Sequence, residues 1–167
     1  TETTDTLTWN FNSGTEAFDF LGSGETLILT YTVSATDDDG TPLADTETVS
    51  VTITGTNDEP VITSDGGGAT ASINVAENTT AVTTVTATDP DLPSNTLTYT
   101  ISGGADAAEF VINPSSGVLT LVSGKDFETP TDANLDGVYE VQVTVDDGIG
   151  LTDVQDISVT ITDVNET

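Results

Sequence analysis

Apolar and polar positions alternate with a period of two along most of the chain, which is the spacing of strands with one buried face. From Thr26 to Val33, the residues Leu27, Leu29, Tyr31 and Val33 share a face. From Thr48 to Ile53 the apolar set is Val49, Val51 and Ile53. Tyr139, Val141, Val143 and Val145 alternate with Glu140, Gln142 and Thr144, and Ile157, Val159 and Ile161 alternate with Ser158 and Thr160. Threonine at the outward positions suits strands, because β-branched side chains fit a pleated surface. No stretch carries a convincing helical period. Turn signals punctuate the strands at Asp39-Gly40, Ser64 to Gly68, Asp89-Pro90, Gly103-Gly104, Asn113 to Gly117 and Asp147-Gly148. Short strands at this spacing predict a β-sandwich.

The pattern also repeats. Val33 to Gly55 and Val141 to Asp163 each read as a strand, an acidic turn ending in Gly, and a strand ending Val-Thr-Ile-Thr. The separation from Gly40 to Ile53 equals that from Gly148 to Ile161, as expected for tandem modules. Each copy runs into a similar tail, Thr56-Asn57-Asp58-Glu59-Pro60 or Val164-Asn165-Glu166-Thr167. The chain therefore divides into residues 1–58 and 59–167. The second unit is long enough for a full sandwich. The first has room for only about four strands and reads as the C-terminal part of a domain. With no signal peptide and a start in mid-pattern at Thr1, the whole reads as an internal fragment of something longer.

Charge narrows the function. One Lys or Arg stands against 29 Asp plus Glu, with no His, for a formal net charge of -28. Nucleic acid needs a basic footprint that Lys125 alone does not supply, and an anionic membrane surface is disfavoured for the same reason. The natural partner is a cation, although acidity can also serve solubility alone. Disorder fits poorly, since the 35% of hydrophobic residues fall in an ordered pattern. No apolar run approaches the roughly 20 residues of a membrane span. The chain has no Cys, so neither disulfides nor Cys metal sites are available. Without His or Cys, the commonest general base and the strongest nucleophile are missing, so no enzyme activity is expected. Trp9, Phe11 and Phe18 read as core of the first unit, and Lys125 as a surface residue beside Asp126.

Calcium takes six to eight oxygen ligands and draws them from several loops. The second unit has such oxygens at its strand ends: Glu77, Asp89 and Asp91, Asp126 and Glu128, and Asp146 and Asp147. Any one acidic turn is weak evidence; the ordered set with an Asn-Asp linker is specific. A further candidate is Asp132-Ala133-Asn134-Leu135-Asp136-Gly137, which matches the start of an EF-hand loop. Its closing Glu is replaced by Val143, which leaves a helix-free calcium loop through Asp132, Asn134 and Asp136, or a plain polar turn.

These residues carry a family resemblance. From Pro60 to Thr167 the chain resembles a cadherin-type domain. Its marks are Ala76-Glu77-Asn78, then Ala87-Thr88-Asp89-Pro90-Asp91 followed by Asn95 and Leu97-Thr98-Tyr99. Phe110 to Pro114, Gly117 to Leu119, Asp126-Phe127-Glu128 and Asp163-Val164-Asn165-Glu166 follow. The first unit resembles the end of a VCBS-type repeat through Leu21 to Leu27, Tyr31-Thr32-Val33, Asp37 to Gly40 and Gly55 to Asp58. The resemblance implies an all-β fold of tandem immunoglobulin/cadherin-like Greek-key sandwiches, the first incomplete. It implies a secreted, bacterial cell-surface setting in an RTX-class adhesin, as in biofilm and cell-cell adhesion. It also implies Ca2+ between consecutive domains. Carried over, the internal junction would use Glu25, Asn57, Asp58, Asp89, Asp91, Asn95 and Asp146, with Asp19 as a further candidate. The far end of the second unit would use Glu77, Asp126, Glu128, Asp163, Asn165 and Glu166. Gly55 stands where the second unit has Asp163, which removes one carboxylate from the junction. The partners implied are neighbouring repeats of the same polypeptide, homophilic contacts or cell-surface glycans. The rival function is a calcium-dependent carbohydrate-binding module of a polysaccharide-degrading protein.

Overall fold

The computed structural model describes residues 8–36 and 44–165 of the 167-residue chain. The acidic turn from Asp37 to Gly40 and the predicted ligand Glu166 lie outside the described residues.

The two predicted hairpins form as the alternation requires. β1 (Thr26–Thr36) and β2 (Ala44–Thr54) pair antiparallel, with Leu27 opposite Ile53 and Leu29 opposite Val51. β10 (Val138–Asp146) and β11 (Thr152–Thr162) do the same, with Tyr139 opposite Val159 and Val141 opposite Ile157. The internal repeat is thus a repeated hairpin.

Around the second hairpin a sandwich closes. β3 (Val61–Ile62), β4 (Thr70–Ala76), β5 (Ala81–Thr84), β6 (Ala87–Thr88), β7 (Thr98–Gly103), β8 (Phe110–Ile112) and β9 (Val118–Leu121) complete it. One sheet runs β4-β11-β10-β7, and β4 joins β11 in parallel. A three-stranded sheet β5-β9-β8 forms the opposite layer, and β3 pairs with β6. Among the described residues the one departure from strand and loop is a single 3₁₀ turn, Ala107–Glu109.

The core lies between the layers. Tyr139, Val141, Val143 and Val145 face inward with Ile157, Val159 and Ile161, against Val85, Phe110, Leu119 and Leu121. Burying a large apolar side chain stabilises the fold by about 1.5–3 kcal/mol relative to leaving it exposed.

The first unit differs from expectation in two ways. Among the described residues it holds two strands, fewer than its length suggested. Trp9 and Phe11 are also not core: they are 48% and 39% exposed. With Tyr31, Val33 and Val49 they line an open groove of about 380 Å³. The reason is geometric. Among the described residues no second sheet covers the apolar face of β1 and β2, whose inward residues stay half-buried.

The units meet through backbone. Leu21 forms a parallel bridge with Leu92, and the Leu92 amide donates to the Phe20 carbonyl at 3.0 Å. The loop ahead of β1 is thereby laid against the Asp89-Pro90-Asp91-Leu92 turn, where the predicted junction ligands sit.

Candidate metal centre

At the junction, three separate segments bring oxygens together: the β2–β3 linker, the turn after β6 and the turn after β10. Asp91 is the centre, at 1% exposed. Its amide donates to Asp89 Oδ1 at 2.9 Å, closing a tight turn that turns both carboxylates the same way. Asp91 Oδ2 accepts the Asp58 amide at 3.2 Å and Asn95 Nδ2 at 3.4 Å, and Asn95 also reaches Asp89 Oδ2 at 3.4 Å. Asp58, Asp89, Asp91 and Asn95 are therefore gathered, and Asn57 precedes Asp58 on the same linker.

Two oxygens at this point are buried with no hydrogen-bond partner: Asp91 Oδ1 and Asn57 Oδ1. A buried carboxylate oxygen without a donor is costly, and a cation is one of the few things that satisfies it. The electrostatics agree. Partial desolvation, and then the charges of Asp91, Asp19 and Asp89, raise the Asp58 carboxyl above its ordinary value. Asp58 thus feels three neighbouring carboxylates. Hard oxygen donors of this kind, with an amide carbonyl among them, fit calcium.

Two predicted residues are placed differently. Asp146 is not the residue that faces Asn57. It caps its own turn, accepting the Gly148 amide at 2.6 Å. Asp147 takes that place: it is 2% exposed, and its Oδ2 accepts Asn57 Nδ2 at 2.5 Å. Its Oδ1 accepts the amides of Ile149, Gly150 and Leu151. Burial would raise the Asp147 carboxyl, but the Asn57 amide and these three backbone amides overcome it and lower it to about 2. The turn motif pointed to both aspartates, and alternation cannot choose between them where the strand ends. Glu25 is exposed, and the carboxylate from the first unit that acts on Asp58 is Asp19.

Gly55 has a structural cause. A Cβ there would lie 2.1 Å from the Leu21 carbonyl oxygen and 2.5 Å from that of Gly22. The loop that docks on Leu92 passes over Gly55 too closely for any side chain. The carboxylate corresponding to Asp163 is excluded by the same backbone that delivers Asp19.

At the far end of the second unit a second group forms. One carboxylate oxygen from each of Glu77, Asp126 and Glu128 lies within 4.8 Å of the others. Glu77 is 2% exposed and holds the site together. Its Oε2 accepts the Phe127 amide at 3.0 Å and its Oε1 the Val164 amide at 2.7 Å. Glu77 thus brings the segment carrying Asp163 and Asn165, both exposed, to the arm carrying Asp126 and Glu128. A backbone hydrogen bond lowers the Glu128 carboxyl, but desolvation together with Glu77 and Asp126 outweighs it and leaves it raised.

The Asp132 loop is closed by its own backbone. Asp132 is 2% exposed, and its oxygens accept the amides of Asp136 at 2.9 Å and Gly137 at 3.0 Å. Burial raises its carboxyl, yet those amides bring it below the ordinary value. Asp136 Oδ2 accepts Asn134 Nδ2, and its Oδ1 accepts the Val138 amide. Asp132, Asn134 and Asp136 direct their oxygens into the turn.

Lys125 is not the surface residue that its neighbour Asp126 suggested. It is 6% exposed, ion-paired to Glu109 and stacked over the Tyr139 ring.

Comparison with known proteins gives a consistent result. The profile of the cadherin domain matches residues 71–162, more than half of the chain. Protocadherin Fat 4 of Homo sapiens is 40% identical over 82 residues, covering 48% of this chain and 2% of that protein. Cadherin-2 of Otolemur garnettii is 35% identical over 151 residues, covering 82% of this chain and 16% of that protein. The chain therefore spans a small part of these relatives. Among solved structures, the protocadherin gamma B2 extracellular cadherin domains 1-5 superpose with a TM-score of 0.66 at 24% identity, over 83% of this chain and 27% of that one. That likeness speaks for the fold. The protocadherin gammaB7 EC3-6 cis-dimer structure gives 0.62 at 26% identity, over 81% of this chain and 33% of that one.

Proposed function

The chain belongs to the cadherin family, and on that premise we propose that it is a calcium-binding extracellular repeat module whose internal junction is stiffened by Ca2+. The observation that carries this reading is the pair of buried, unpartnered oxygens, Asp91 Oδ1 and Asn57 Oδ1, inside a group of carboxylates from both units. Asn57, Asp58, Asp89, Asp91 and Asn95 would hold the ion, with Asp19 contributed by the first unit and Asp147 orienting Asn57. Calcium would supply charge neutralisation and shared ligation, with no bond-making chemistry. Without it, Asp19, Asp58, Asp89 and Asp91 repel one another and the units swing about the linker.

At a free calcium concentration ten times the dissociation constant, each site adds about 1.4 kcal/mol to the bound form. Extracellular modules typically bind at about 10⁻⁴ to 10⁻³ M, so calcium outside a cell would hold a rod that the cytosol would not. The far-end cluster, with Glu77, Asp126, Glu128, Asp163, Asn165 and Glu166, would be completed by a following module. The matched relatives include proteins whose structures are described as extracellular cadherin domains and as a cis-dimer, which supports an extracellular adhesive setting with lateral self-contacts. The division into 1–58 and 59–167 follows the repeated hairpin and the linker between β2 and β3. The first unit's likeness to VCBS-type repeats supports a bacterial RTX-class adhesin as the parent.

A calorimetric calcium titration tests the reading. The intact chain should bind in two resolvable phases, with Asp91→Asn removing the junction phase and Asp126→Asn the far-end phase. Unchanged titrations in both variants would refute it.

A second reading has one observation in its favour. Trp9, Phe11 and Tyr31 line an open groove beside Asn10 and Asn12, the aromatic-plus-amide lining that stacks on a sugar ring. A calcium-dependent carbohydrate module would use this groove. A glycan array with calcium should show hits that Trp9→Ala removes; no hits would leave the adhesive reading alone.

A further inference from the structure

The arm bearing Asp126 and Glu128 is fastened at both ends to one tyrosine. Tyr139 is 1% exposed. At the start of the arm, the Lys125 ammonium lies 5.2 Å from the centroid of its ring. At the other end, its hydroxyl accepts the Thr131 amide at 3.0 Å and engages Thr131 Oγ1 at 3.1 Å. Asp126, Phe127 and Glu128 lie between these two anchors.

Lys125 adds two more ties. Its ammonium pairs with Glu109, whose carbonyl also accepts the Val122 amide at 2.8 Å, where the arm leaves β9. Its own carbonyl accepts the Asn78 amide at 2.8 Å, next to Glu77. The single basic side chain of the chain is therefore bound beside the two segments that carry Glu77, Asp126 and Glu128.

Burying a lysine is costly unless its charge is matched, so this placement calls for a reason. Glu109 and the Tyr139 ring match the charge, and the gain is a fixed arm. We propose that Lys125, together with Glu109 and Tyr139, is a positioning residue that presents Asp126 and Glu128 to a divalent cation. The proposal rests on the calcium reading of that cluster.

Two effects oppose each other here, and their signs separate the proposal from its rival. A cation beside a divalent site repels the ion, so if charge alone mattered, removing Lys125 would tighten binding. If Lys125 holds the arm, removing it weakens binding, because outer residues that orient ligands are typically worth about 10–100-fold in metal affinity.

The test is calcium calorimetry on the intact chain, with Glu128→Gln used to identify the far-end phase and the junction phase as internal control. Amide exchange at Phe127 and Thr131, measured in chelator, reports the arm without metal. Lys125→Met should weaken the far-end phase about tenfold or more, leave the junction phase unchanged and speed exchange at both amides. Lys125→Arg, which keeps the charge and the ring contact, should recover most of the loss. Should Lys125→Met fail to fold, Glu109→Gln serves instead and must weaken the same phase. Unchanged or tighter far-end binding in Lys125→Met would overturn the positioning role alone. Absence of any Glu128-sensitive calcium phase in the parent would sink the calcium reading and the positioning role with it.

Discussion

Asn57 Nδ2 donates to Asp147 Oδ2 at 2.5 Å, tying the β2–β3 linker to the turn after β10. This bond sets the orientation of a residue whose other side-chain atom, Oδ1, is buried without a partner. Asp147→Asn disrupts this pairing, because an amide in place of Oδ2 cannot accept from Asn57. The expected result is a junction calcium affinity about tenfold weaker, with the far-end phase unchanged, as read by calorimetry.

Asp147 also makes stability depend on pH. Its folded value of about 2 lies below the ordinary 3.8. A group depressed on folding stabilises the fold fully above its unfolded value and ceases to do so as pH falls through its folded value. In chelator, the melting temperature of the parent should therefore fall between about pH 4 and pH 2 more steeply than that of Asp147→Asn. Parallel curves for the two proteins would remove Asp147 from the account.

Gly55 makes an unusual prediction. Restoring the aspartate found at the equivalent place in the second unit should weaken the junction, although it adds a carboxylate. A Cβ at Gly55 would meet the Leu21 carbonyl oxygen at 2.1 Å, so Gly55→Asp must push away the loop that pairs with Leu92. A cost of about 1–3 kcal/mol is expected for such strain. Denaturant unfolding measures it, and faster amide exchange at Leu92 locates it.

Core positions separate cleanly from surface ones. Leu119 is fully buried between the layers, and Leu119→Ala should cost about 2–5 kcal/mol in unfolding free energy. Ile28 is 60% exposed on the first unit's hairpin, and Ile28→Ala should change stability by about 0.5 kcal/mol or less.

What was legible in the sequence follows from what alternation can and cannot encode. β10 and β11 read directly, because Val and Ile at every second place bury one face while Thr, Ser and Gln take the other. Asp89, Asp91 and Asn95 were legible because a local turn alone brings them together. Asp146 and Asp147 are not separable in the sequence, because parity loses its meaning where the strand ends. The sequence does not rank Glu25 against Asp19, because only the Leu21–Leu92 pairing, a contact between distant segments, brings the loop of Asp19 to Asp58. The burial of Lys125 is hidden from the sequence for the same reason: its partners Glu109 and Tyr139 approach from the 3₁₀ turn and from β10. Trp9, Phe11 and Phe18 suggest a core by residue type, but residue type does not say whether a covering sheet is present.

The central claim is that calcium at the junction converts two hinged units into one rod. Small-angle scattering of the intact chain, with calcium and with chelator, tests it most directly when Asp91→Asn is measured alongside. The account predicts that calcium extends and narrows the distance distribution of the parent, raises its melting temperature, and leaves Asp91→Asn near the chelator profile. Identical profiles and melting temperatures for the parent in calcium and in chelator would contradict it.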